Sequence, residues 1–300
     1  MTKPRAPTRW AADISSILNK VLGSDHFPIK VADIAKEYSR KVFPDDPITR
    51  VEGTALNSFD GALLRAGAKE WGIVYNTAMT STGRINFTLA HEFGHYLIHR
   101  FAHPDGMRCG DQDMVRWESD YRKMEQEANT FAAYLLMPFD DYRRQIDARS
   151  AVDLDALSHC ADRYEVSLIA ASLRWIDYTE RRAVLVCARD GYILWARSTK
   201  LALKTGAFFR ASRGPIPIPD GSVAARRLMI PNSRAPTEHP PGVWFAEPCT
   251  EMTVFADNYD FTISLLQLPQ HSGRSIFDTD EEEADEDLVD VIRRNHGLKK

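Results

Sequence analysis

Apolar side chains recur at three- and four-residue intervals through residues 11 to 22 (AADISSILNKVL) and 31 to 39 (VADIAKEYS), the spacing that lays one apolar stripe along a helix. Two short amphipathic helices are therefore expected to open the fold. FDGALLR (59 to 65) and WGIVYN (71 to 76) are short apolar-rich runs joined by a link containing Gly and Lys, and they predict an antiparallel strand pair. Two longer helices follow, one from Arg84 to about Phe101, ended before Pro104, and one from about Trp117 to Met137, stopped by Pro138. Residues 151 to 178 hold two more, LDALSHCADRY and SLIAASLRWIDY, with Ser167 placed to cap the second.

After Arg182 the pattern changes to β-branched and aromatic runs. AVLVCAR, GYILWARS, GVWFAEP and MTVFADNYDFTISLLQL each predict strand, the last folding back around Asn258-Tyr259-Asp260. A separate, mostly β unit is expected over residues 182 to 268. The Pro-, Gly- and Arg-rich stretch from 205 to 241 reads as loop with one short helix, and residues 269 to 300 as a solvated acidic tail. The whole is an α+β fold: helices around a small antiparallel sheet, a helical segment, then the β unit.

Three hundred residues with 44% apolar and 27% charged side chains fit two or three folding units and exclude a globally disordered, collagen-like or coiled-coil chain. Cysteines at 109, 160, 187 and 249 form no CxxC pair, which predicts reduced thiols and argues against a disulfide framework or a zinc ribbon. The first thirty residues lack the unbroken apolar core of a signal peptide, and no run is long enough to span a bilayer. A cytoplasmic protein with no membrane partner is expected. The net charge of −4 hides a division: residues 278 to 290 hold nine acidic side chains, leaving 38 basic against 33 acidic elsewhere, or +5. Between Arg197 and Arg234 eight basic residues face only Asp220, a local +7. Such a stretch could meet nucleic acid or phosphate, but a charged loop is more often a solvated surface, and direct DNA binding is not favoured.

His91-Glu92-Phe93-Gly94-His95 lies inside the first long helix. Residues four apart project from one helix face a turn apart, so two imidazoles there can grip one metal ion. Glu92 then stands beside that ion, where a carboxylate can take a proton from water whose pKa the ion lowers from about 15.7 to about 7. A hydrolytic zinc site needs a third protein ligand. The pattern with a third His six residues on, preceded by Gly, fails because those positions hold Phe101 and Ile98. A carboxylate from the next helix is the other arrangement, and Glu125-Gln126-Glu127-Ala128-Asn129 offers one. Glu125 is the expected ligand, because Asn129 sits one turn later on its face and can accept the imidazole N–H not facing the metal. Glu127, two residues from Glu125, points to another face. Ala128 lets the two helices approach. Zn2+ suits two imidazoles and a carboxylate, and Mn2+ or Fe2+ can occupy the same ligands.

Arg84-Ile85-Asn86-Phe87-Thr88-Leu89-Ala90 running into HEFGH, followed by EQEANTFAAYLLMP from Glu125 to Pro138, resembles the ImmA/IrrE family of zinc metallo-endopeptidases. The likeness covers residues 10 to 178. It implies a gluzincin-like site with His91, His95 and Glu125 as metal ligands and Glu92 as catalytic base. It also implies a protein substrate, since known members cut helix-turn-helix repressors to release stress-response or mobile-element genes. One branch carries a C-terminal GAF-like domain, to which the β unit is similar in size and position. The organisation implied is a zinc metallopeptidase domain at 1–148, a helix-turn-helix-like segment at 149–181, a mostly β, GAF-like sensor domain at 182–268 and an acidic tail at 269–300. The rival reading keeps this scaffold for a non-proteolytic regulator or toxin–antitoxin partner that binds a repressor or DNA.

Other residues are less constrained. Tyr75, Tyr121 and Tyr134 are each a hydrogen-bond donor for the oxyanion of a tetrahedral intermediate, and spacing does not choose among them. His99 and His103 continue the four-residue ladder and are expected to be partly exposed near the helix end. The strand pair at 59 to 76 offers an edge on which an extended peptide could lie as an added strand. SLIAASLRWIDY carries one Arg on a mostly apolar helix, poor equipment for phosphates and base edges, so a structural or repressor-docking role is expected.

Overall fold

The structure, a computed structural model, describes residues 5–57, 59–104, 106–108, 118–226, 235–256 and 261–270. The turn expected at 258–260, most of the tail expected from 269, Trp117, Cys109, Arg227 and Arg234 lie outside the described residues. The chain forms two compact units, residues 1–142 with 161–167, and residues 143–160 with 168–300.

The first unit opens with α1 (Pro7–Leu22) and α2 (Val31–Val42). Part of each apolar stripe faces inward, with Ala11 and Ile14 of α1 and Val31 and Ala35 of α2 buried, whereas Ile17, Val21 and Leu22 of α1 and Val42 of α2 are exposed. Next come β1 (Ile48–Thr54), β2 (Gly61–Gly67), β3 (Glu70–Asn76), α3 (Thr82–Ile98), the short β4 (Gly106–Arg108) and α4 (Glu118–Leu136). The expected hairpin is β2 against β3, antiparallel with Leu63 opposite Ile73. Two further strands complete a sheet of order β1-β3-β2-β4, and because β1 runs parallel to β3 the sheet is mixed. β1 escapes a hydrophobic-pattern reading because it is an edge strand with only Ile48 buried. Among the described residues the edge strands are therefore β1 and β4, and the expected strand pair β2–β3 lies between them.

Ser81 caps α3 by accepting the Arg84 N–H at 3.3 Å. The Arg84 guanidinium donates to both oxygens of Asp60, Nε to Oδ2 at 3.0 Å and Nη2 to Oδ1 at 2.7 Å, which ties the entry of β2 to the entry of α3. Farther along, small residues bring α3 and α4 together. A Cβ on Gly94 would lie 3.2 Å from the Ala128 Cα and 3.0 Å from the Phe131 ring. Phe93 and Phe131 meet edge to face beside that contact, with centroids 5.6 Å apart.

The boundary between the units falls within α5 (Phe139–Gln145) and α6 (Leu154–Tyr164). In the first unit Asp141 accepts bonds from Arg163 Nε at 2.9 Å and the Tyr164 hydroxyl at 2.6 Å.

The second unit holds α7 (Leu168–Tyr178), β5 (Ala183–Arg189), β6 (Tyr192–Ser198), α8 (Lys200–Lys204), β7 (Ile216–Pro217), α9 (Val223–Arg226), β8 (Thr237–His239), β9 (Cys249–Ala256) and β10 (Phe261–Gln267). The strands form a six-stranded antiparallel sheet of order β7-β6-β5-β10-β9-β8. Central strands β5 and β10 are buried almost throughout, as their continuous apolar runs require. GVWFAEP is not a strand, contrary to its pattern. Pro240 and Pro241 withhold ladder donors, Gly242 takes φ +95°, and the Gly242 N–H closes a turn on the Phe245 carbonyl at 2.7 Å. The apolar content of that run is spent on packing instead: Trp244 is buried in a cluster with Val184, Val186 and Leu266.

Residues Ala171 to Ile176 of α7 are all buried, Arg174 and Trp175 among them. Cys160, Cys187 and Cys249 are free thiols. No described helix is long and apolar enough to cross a membrane.

Candidate metal centre

α3 is buried from Thr88 to Leu97, so the HExxH residues lie in the interior of the first unit. His91 and His95 stack one turn apart, ring centroids 4.5 Å and planes 75° to one another. Their Nε2 atoms converge to 2.9 Å. Glu125 reaches the pair from α4, with Oε2 3.6 Å from His91 Nε2 and Oε1 3.4 Å from His95 Nε2. Among the described residues this trio is the single group of His, Cys, Asp or Glu side chains with ligand atoms close enough to hold an ion.

The outer ring nitrogens are engaged as well. His91 Nδ1 meets the Asn129 side-chain oxygen at 2.8 Å. An amide oxygen only accepts, so Nδ1 of His91 carries a proton, and in the neutral ring Nε2 is the nitrogen that can ligate. His95 Nδ1 meets His99 Nδ1 at 3.0 Å, and His99 Nε2 meets Glu127 Oε2 at 3.0 Å. His99 is thus buried, against the expectation of a partly exposed residue. The four-residue ladder held the signal for its position, but its burial depends on Glu127 arriving from α4. His103 is partly exposed, with Nε2 3.2 Å from the Met124 sulfur.

Burial pushes the His95 imidazole down to about 3, with repulsion from His91 adding to the shift and Glu125 opposing it. Burial likewise holds His99 below its ordinary value, against the pull of Glu127. Both rings are neutral near pH 7, the state in which an imidazole can ligate a metal. The donor set fits a small divalent cation. Edges of 2.9, 3.4 and 3.6 Å bracket the ligand spacing of about 3.3 Å that tetrahedral zinc bonds of about 2.0–2.1 Å impose. Two imidazoles and a carboxylate gathered this closely form a donor set of the kind that holds such an ion.

Glu92 is fully buried beside the trio in sequence. Gly61, at the start of β2, lies against it: a Cβ there would collide with Thr88 Cγ2 and sit 3.0 Å from Glu92 Oε1. Sequence patterning gave no sign of this contact. Of the candidate tyrosines, Tyr75 of β3 lies against Gly53, Tyr134 packs on Phe139 with centroids 5.0 Å apart, and Tyr121 precedes Glu125 by one turn of α4.

Residues 45–175 match the IrrE N-terminal-like domain of peptidase family M78. Among solved structures the chain is similar to a Mycobacterium tuberculosis transcriptional regulator at 14% identity, over 89% of this chain and 92% of that one, with a TM-score of 0.49. No curated protein matches the sequence. The match runs from just before β1 into α7 and so takes in both helices of the candidate metal site.

Proposed function

We propose that this chain is a zinc-dependent endopeptidase that cuts a protein partner, a helix-turn-helix repressor, and so derepresses the genes that partner silences. The observation that carries the reading is the convergence of His91, His95 and Glu125 from two helices, with Glu92 buried next in sequence to His91, inside a peptidase-family domain. The repressor as substrate follows from the resemblance of the two helix motifs to ImmA/IrrE proteins. The domain organisation that goes with it is a peptidase domain at 1–148, a helical segment at 149–181 and a β domain at 182–268 in the position of a sensor.

His91, His95 and Glu125 would hold a Zn2+ ion, which would supply Lewis-acid chemistry and would lower the pKa of water to about 7. Glu92 takes the proton of the attacking water and returns it to the departing amine as the C–N bond breaks. Asn129 fixes the tautomer of His91. Gly61 leaves the room in which the Glu92 carboxylate lies. The deciding experiment is metal analysis of freshly purified protein, followed by incubation with a candidate repressor with and without chelator. Chelator-sensitive cleavage at one peptide bond supports the reading. A stoichiometric complex in which the repressor stays intact would replace it with the non-proteolytic alternative.

A further inference from the structure

We infer that His99 and Glu127 form a proton-ordering relay behind His95 that presents the His95 Nε2 lone pair to the metal site. The inference rests on the metal-site reading above and adds two positioning residues to it. Proton accounting carries the argument. Glu127 as a carboxylate only accepts, so His99 Nε2, at 3.0 Å from it, carries a proton. In a neutral ring His99 Nδ1 is then bare, and the 3.0 Å bond to His95 Nδ1 requires the proton to be on His95. Nε2 of His95 is left as a lone pair aimed at His91 Nε2 and Glu125. Each step allows one tautomer, so the carboxylate sets the protonation of a ligand two rings away.

The two ligand histidines are therefore oriented by different devices on the same helix. His91 uses an amide in direct contact, Asn129. His95 uses a second imidazole as a spacer, because Glu127 projects from another face of α4 than Glu125 and Asn129. His99 is buried, whereas the Glu127 side chain is about one-third exposed, at 32%, so the relay runs from the interior toward solvent.

Removing an outer partner of a ligand histidine typically weakens metal binding about 10–100-fold. His99→Leu should do so in a Zn2+ titration against a competing chelator, and should alter the visible spectrum of the Co2+-loaded protein. His99→Gln should restore affinity to near wild type, since a glutamine amide can accept from His95 with its oxygen and donate to Glu127 with its nitrogen. Glu127→Leu, a change at a partly exposed side chain, should weaken binding in the same direction, and it carries the test if His99→Leu does not fold. Gln as weak as Leu at position 99, or Zn2+ affinity unchanged in both Leu variants, overturns the relay while leaving the ligand trio standing. A wild-type protein that binds no Zn2+, or whose affinity survives Glu125→Ala, sinks the metal-site reading and the relay together.

Discussion

Two buried glutamates, one in each unit, differ in what their surroundings offer a carboxylate. Glu251 on β9 is fully buried and is closed by donors of the protein itself. The backbone N–H groups of Val223 and Ala224 reach it at 3.0 Å, His239 Nε2 and Trp244 Nε1 at 2.8 Å, and the Thr253 hydroxyl at 2.7 Å. Glu125 on α4 is as deeply buried, yet it faces two ring nitrogens whose protons are ordered to their far sides. The first arrangement satisfies a charge with hydrogen bonds and pins strands to a loop and a short helix. In the proposed metal site the second would gather electron pairs around a cation. Burial alone does not distinguish the two; the direction of the neighbouring protons does.

That contrast can be broken from either side. The largest expected effect is on chemistry: Glu92→Gln should lower cleavage of a repressor substrate by about 10²–10⁴-fold with Zn2+ content unchanged, measured by peptide mapping beside metal analysis. Full-rate cleavage by this variant would refute the proposed base. Glu251→Ala strands several buried donors and should cost about 3–5 kcal/mol in denaturant unfolding, without touching Zn2+ affinity. Glu125→Gln should do the opposite, abolishing tight Zn2+ binding while shifting metal-free stability far less. If both variants lost stability equally and neither lost metal, the distinction would collapse.

Gly61→Ala pushes a methyl against Thr88 and the Glu92 carboxylate. Overpacking of this kind costs about 1–3 kcal/mol, and here turnover should fall more than Zn2+ affinity does. A further effect is in pH. Unfolded His95 takes up a proton near its ordinary 6.5, whereas the folded ring resists until about 3. The unfolded state therefore binds more protons across that window, and metal-free stability should fall as pH drops from about 6.5 toward 3. His95→Phe should flatten that slope in denaturation series at several pH values.

His91 with His95, and Glu125 with Asn129, stand at fixed helical spacings, so periodicity sufficed to bring each pair to one face of its helix. Helices α3 and α4 and the β2–β3 hairpin were legible for the same reason, since their patterns are local. What escaped depends on distant partners. β1 shows almost no apolar alternation because it is an edge strand. GVWFAEP looks like a strand, but its tryptophan is drawn into the core while its indole N–H bonds Glu251, and prolines keep it out of the ladder. The burial of His99 and the pressure of Gly61 on Glu92 exist only once β2, α3 and α4 are assembled.

The tight crossing at Gly94 and Ala128 has a consequence for how the protein withstands heat. Because the trio is divided between two helices, an ion bound there acts as a rivet across separate stretches of chain, and its affinity is added to the free energy of the folded state. Free zinc at about a thousand times Kd would contribute about 4.1 kcal/mol. Two preparations that differ in nothing but their trace-metal content would then melt at different temperatures.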